Sequence, residues 1–309
     1  METISSTPAP LLKHLVIHPT GVGHLMSKLQ LQIFNQGIPI LSHLRVTSAM
    51  VPSLPSLNTL TALHLAAADR RSITLAEFSV LSTSSPYLDT LAIYDNAICG
   101  PWPLDATIDF PSLRSLQIYG SFMSVSDLLR VVQAPLLKDL VIAPFAVNDL
   151  AEYREHISHS PPKFTGLKSI TLSPVSMSGF AQLEEAAECF PTVELVMIPN
   201  IHADSFRDVL TGTDADIVWS GLKALALRNI DYKSMEKLLA VVAFREAAGS
   251  PLETLYLDHR SMQRVSSMLP LLRRSVNVVE FDVWATLLDE DLLQDAAHFV
   301  GNDIDFSYF

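Results

Sequence analysis

The chain has 309 residues, enough for two ordinary domains or one elongated one. Apolar residues make up 49% and charged residues 17%, which can fill a large core and argues against disorder. The formal net charge of −12 argues against binding a phosphate backbone, so no nucleic-acid partner is expected.

The first residues, METISSTPAP, are polar, with no cationic lead-in to a long apolar run. No secretory leader is expected there. The segment is also too short and polar to cover the first structural unit, so the chain is expected to self-associate through its N-terminal end. From Leu12 onward one phrase recurs: an apolar residue, two variable ones, an apolar one, one variable, and an apolar one. It starts at Leu12, Leu41, Leu60, Leu88, Leu113, Leu137, Leu167, Val193, Leu222, Leu252 and Val276. The mean step is about 26 residues, within the leucine-rich-repeat range. The Leu60 unit, with a step of about 19, fits this least well.

Each phrase reads as a short strand whose last two apolar positions point the same way. One such strand cannot hide its apolar face alone, whereas stacked copies bury a shared core and pair their backbones in parallel. Pro39, Pro86, Pro111, Pro135, Pro191 and Pro251 precede the phrase, where a missing amide donor is tolerated. Between the strands, Thr74–Glu77 and Asp149–Glu152 each carry a cap residue followed three positions later by Glu. Residues 178–189, 234–247 and 261–274 have apolar side chains at helical spacing. The expected fold is therefore α/β: a curved leucine-rich-repeat solenoid with parallel strands on the concave face and helices on the convex face. We expect a single domain over 1–309, with repeats over 10–285 and an acidic C-terminal cap over 286–309.

The chemical groups offer little for catalysis. His14 and His18, and His156 and His159, lack carboxylate or Cys partners close by, and no HExxH occurs, so no metal is expected. No Gly-x-Ser-x-Gly elbow or phosphate-cradling loop appears, and no cofactor is expected. The Glu184–Glu185 pair reads as a solvated face. Cys189 reads as a small core residue at a helix end, Cys99 lies in a loop, and Trp102 is expected to fold back onto its own loop. Two cysteines and no Asn-x-Ser/Thr sequon fit a reducing compartment, cytoplasmic or nuclear. The run Leu238–Phe244 is too short to span a bilayer, and no membrane partner is expected. From Glu280 to Phe309 there are eight acids and no Lys or Arg. Residues 287–299 read as a capping helix with acids near its positive end.

The Pro before the first Leu, the irregular unit lengths and Cys-Phe-Pro-Thr-Val at 189–193 resemble the repeat region of fungal F-box-type leucine-rich-repeat proteins. That resemblance implies a substrate receptor of a cullin–RING ubiquitin ligase, in which an F-box docks on a Skp-type adaptor and the repeats capture a protein. No Leu-Pro-x-Glu-led helical segment precedes Leu12, so the adaptor is expected as a partner only if an upstream F-box exists. The alternative is a free-standing interaction protein with no ligase role; neither reading is enzymatic. A protein partner is expected on the concave face, at the variable positions flanking the last two apolar residues. There the order along the chain is basic, then aromatic, then acidic: Arg45, His64, Tyr94, Gln117, Tyr119, Met197, Arg228, Tyr256 and Asp258. Tyr94 and Tyr119 hold the same place in successive units, so their rings should lie about 5 Å apart.

Overall fold

A computed structural model describes residues 11–17, 40–48, 51, 54, 57–67, 72–98, 100–120, 125–146, 149–159, 163–174, 180–199 and 217–281. His18, Cys99, the expected capping helix over 287–299 and the first ten residues lie outside them. The chain forms two compact units, Met1–Leu137 and Lys138–Phe309.

In the first unit, β1 (His14–Val16), β2 (His43–Thr47), β3 (Ala62–Ala66), β4 (Thr90–Tyr94) and β6 (Ser115–Tyr119) pair in that order, all parallel. Leu15, Leu44, Leu63, Leu91 and Leu116 fall on one register line. The Leu60 unit, the weakest by spacing, supplies a full strand of this ladder. A separate pair joins β5 (Ile108–Asp109) to β7 (Val132–Gln133). Val46, Leu65, Ile93 and Ile118 form a second apolar line, all at 1% exposure or less. These two lines are the expected shared core.

Between the strands, α1 (Leu75–Ser84) begins with the expected capping box: the Glu77 amide donates to the Thr74 hydroxyl, and the Thr74 amide donates to the Glu77 carboxylate. Phe78 from this helix packs on Phe110 and Trp102, with ring centroids 5.3 and 5.8 Å away. Trp102 is thus buried, but against Phe78 of α1 rather than on its own loop. In α2 (Val125–Val131), the buried Arg130 donates to the carbonyls of Trp102 and Pro103 and bridges Asp127.

The second unit pairs β8 (Asp139–Phe145), β9 (Ser169–Pro174), β10 (Leu195–Ile198), β11 (Ala224–Leu227), β12 (Thr254–Leu257) and β13 (Asn277–Glu280), again all parallel. Leu140, Ile170, Val196, Leu225 and Leu255 share a register line, but the last strand is displaced by one. Val278, not Val279, continues that line, so Val279 and not Glu280 stands beside Tyr256. The buried Val276 immediately precedes its strand, whereas Leu252 sits two residues before its own. The last unit is one residue shorter there, and alignment on the first apolar position carries that slip into the strand.

The helices of this unit depart from expectation in three places. Asp149 does not cap α3 (Ala151–Ser158); its carboxylate accepts instead from the Ala146 amide at 2.6 Å, and Leu150 takes the cap position. On α4 (Phe180–Cys189), Glu185 is buried rather than solvated. Burial raises its pKa, opposed by the nearby Arg154 guanidinium. The helix read over 261–274 is two short ones, α6 (His259–Arg264) and α7 (Leu269–Leu272). Pro270 sits in the first turn of α7, where its missing amide costs nothing, but deeper in one long helix it would break the hydrogen-bond ladder. The long helix α5 (Tyr232–Ala247) forms as read, capped by Asp231. Its Arg245 is fully buried and donates to the carbonyls of Val218 and Trp219, both at 2.9 Å. Burial lowers its pKa to about 10, so it remains charged at neutral pH. Arg130 and Arg245 thus do the same work: each ties a helix to the Trp-containing turn of the preceding unit.

Candidate functional site

On the face opposite the two apolar lines of the first unit, the expected contact residues form a connected cluster. Tyr94 and Tyr119 stack at 5.0 Å with planes 15° apart, as their shared position requires. His64 stacks on Tyr94 at 6.1 Å, and its Nδ1 lies 3.1 Å from the Tyr94 hydroxyl. The Arg45 guanidinium sits 5.6 Å from the Tyr94 ring centroid. The Tyr119 hydroxyl donates to Gln117 Oε1, whose amide nitrogen donates to Ser115 Oγ.

This face is far less open than the alternation of variable residues implies. Arg45, Tyr94 and Tyr119 are each at least nine-tenths buried, and Ala92 is fully so. Strands about 4.8 Å apart let large flat groups in one register line cover each other. Burial, with help from the Arg45 and His43 charges, lowers the His64 pKa to about 4. Burial also pushes Tyr94 up to about 12, and Tyr119 well above its usual value. At neutral pH the ring cluster is therefore uncharged and offers neither an ionised nucleophile nor a charged acid.

The expected residues of the second unit divide. Met197 and Tyr256 share a register line with Ala226 between them. Met197 is buried, while Tyr256 is half-buried with its ring 5.3 Å from Phe281. Arg228 is partly exposed, just beyond β11. Asp258 is turned into the fold: it is buried, caps α6, and accepts from the Asn229 amide and the Ser261 hydroxyl. A carboxylate beside a helix N-terminus satisfies amides that would otherwise lack partners, so its place at the end of an acidic trend reflects a cap. Among the described residues, no group of three His, Cys, Asp or Glu side chains could hold a metal ion. No described helix is long and apolar enough to cross a membrane. Cys189 is buried as expected, and burial raises its thiol to about 12.

One open surface of the first unit lies at the rim where the strands begin. The residue immediately before each first apolar position is Leu11, Ile40, Thr59, Tyr87, Ser112 and Leu136 in turn. The two hydroxyls are tied down: Thr59 donates to the Leu41 carbonyl and Ser112 to the Pro86 carbonyl. The four apolar side chains stand out in solvent, with exposures of 85% for Leu11, 36% for Ile40, 65% for Tyr87 and 48% for Leu136. Tyr87 and Leu136 help line a cleft of about 440 Å³ that also takes in Thr61, Asp89, Ser112 and Arg114. Arg114 and Asp89 form an exposed ion pair at 3.1 Å. Reading the column before the core positions, as well as those between them, would have found this rim.

No protein-family model matches the chain, and no curated protein matches it.

Proposed function

We propose that the chain is a leucine-rich-repeat protein that acts as a non-catalytic protein-binding scaffold. The observation that carries this reading is the combination, in the first unit, of a rigid in-register ladder and a row of apolar side chains left in solvent along one rim. Apolar side chains gathered along one exposed edge mark a candidate contact surface. Stacked parallel strands hold such groups at fixed intervals, which suits recognition of a partner surface more than chemistry on a small substrate. The resemblance to fungal F-box-type repeats gives the scaffold a role: capture of a protein substrate for a cullin–RING ubiquitin ligase, in the cytoplasm or nucleus. The second reading is a free-standing interaction protein with no ligase role.

Immobilised Skp-type adaptor, incubated with the full gene product, separates the two. Retention on the adaptor supports the ligase role; a product that ignores the adaptor but binds a protein ligand supports the free-standing one. Turnover in a broad hydrolase screen, abolished by a single His or Asp substitution, would overturn both.

A further inference from the structure

The first rung of the ladder is weakly held and carries one of two facing imidazoles. β1 is three residues long, and Leu12, Leu15 and Ile17 at its core positions are only half-buried. Their counterparts on the next rung, Leu41, Leu44 and Val46, are 3% exposed or less. His14 and His43 are register partners on β1 and β2; both are exposed, and their rings stack at 4.3 Å with planes 15° apart. Few charged groups surround them. Lys13 precedes His14, β2 carries Arg45 and β3 carries His64. His43 helps to line the cleft that also takes in Asp89 and Arg114, and those two are already paired with each other at 3.1 Å. From Thr3 to Ala68 the chain has no Asp or Glu, yet it has five of the ten histidines. The first rungs therefore hold bases with no carboxylate of their own to offset them.

We propose that this rung is an acid-sensitive latch: β1 stays paired with β2 at neutral pH and separates from it in mild acid, when His14 and His43 both carry a proton. Neutral imidazoles stack without penalty, but like charges directly opposite each other on adjacent strands are destabilising. Two unit charges about 4 Å apart at a protein surface repel by enough to shift an equilibrium about tenfold. Burial, with the His14 charge, lowers the pKa of His43, so the paired strands resist a proton that the separated ones accept. By linkage the pairing is complete above the ordinary imidazole value of about 6.5 and is lost progressively below it. Lys13 adds to the repulsion, and Asp89 cannot relieve it while it serves Arg114. His64, at about 4, stays neutral through this range and adds no charge. A short, half-buried terminal strand opens before the rungs behind it. Its departure leaves Leu41, Leu44 and Val46 as the outermost core side chains, an apolar edge bared only in acid. The latch does not depend on what the scaffold binds.

The test is amide hydrogen exchange on the full chain at pH 7.5 and pH 5.0, expressed as protection factors so that the intrinsic pH dependence of exchange cancels. The Ile17 amide donates to the Arg45 carbonyl and the His43 amide to the Lys13 carbonyl, both at 3.0 Å, so these two report the β1–β2 pairing. Their protection should fall about tenfold between the two pH values. The Thr90 and Ser115 amides, which bond the deeper rungs, should hold or gain protection. In the double variant His14→Gln, His43→Gln the fall should vanish. Lys13→Glu, which supplies a carboxylate beside the stack, should reduce it to about threefold or less. All three positions are exposed, and an unchanged far-ultraviolet spectrum at pH 7.5 shows that the variants fold. Protection at Ile17 and His43 that ignores pH, or that is absent already at pH 7.5, would overturn the latch. So would a fall that persists in the double variant, or one shared equally by Thr90 and Ser115, which would mark loss of the whole unit instead of its first rung.

Discussion

His64 and Asp95 titrate in nearly the same range with opposite consequences. Folded His64 has a pKa of about 4 against 6.5 in an unfolded chain. Between those values the unfolded chain takes a proton that the folded one refuses, so stability falls as pH falls. Burial raises Asp95 from 3.8 to about 6, so there the folded chain takes the proton first and stability rises as pH falls. The two effects oppose each other between pH 6 and 4. Asp95→Asn should therefore melt at a higher temperature than the natural chain at pH 7.5 and at the same temperature near pH 3.5, as followed by circular dichroism. Asn also tolerates the left-handed backbone at this position, φ 51°. The neighbouring Gly120 has φ 123°, and a Cβ there would lie 2.6 Å from the Asp95 Cα. Gly120→Ala should cost about 2 kcal/mol or more in urea denaturation. Arg245→Ala should cost about 3 kcal/mol, because it leaves two buried carbonyls unpaired and a void behind. Arg245→Lys should recover only part of this, since an ammonium cannot fork to both carbonyls.

At the scale of elements, local chemistry in the sequence is decisive where a cap and a helix agree. Thr74 and Glu77 mark the start of α1, and Thr74→Ala should lower stability by about 1 kcal/mol. Asp149 and Glu152 have the same spacing without the same outcome, because the Ala146 amide competes for the carboxylate. Spacing cannot show that competition. The strands were legible for a stronger reason: a slip of one residue turns a whole apolar set outward, so the pattern of buried residues specifies the register. It failed at β13, where Val276 and Val278 are both buried and one residue is missing between the first apolar position and the strand, and the β8–β9 pairing shifts register after Ile142.

At the scale of the whole molecule, charge is unevenly divided, with a basic stretch near the beginning and acids gathered over 280–309.

From its residues alone the chain determined that its apolar phrases would become parallel strands in register, because a period-two strand with one greasy face has few other ways to hide it. It also determined the Tyr94–Tyr119 stack, because equal positions in successive units must lie one rung apart. Only the tertiary structure decided which variable residues remain open. Burial depends on what the neighbouring rungs carry: beside large flat groups, Arg45, Tyr94 and Tyr119 close over one another, while Ile40, Tyr87 and Leu136, one step before the core positions, stay in water.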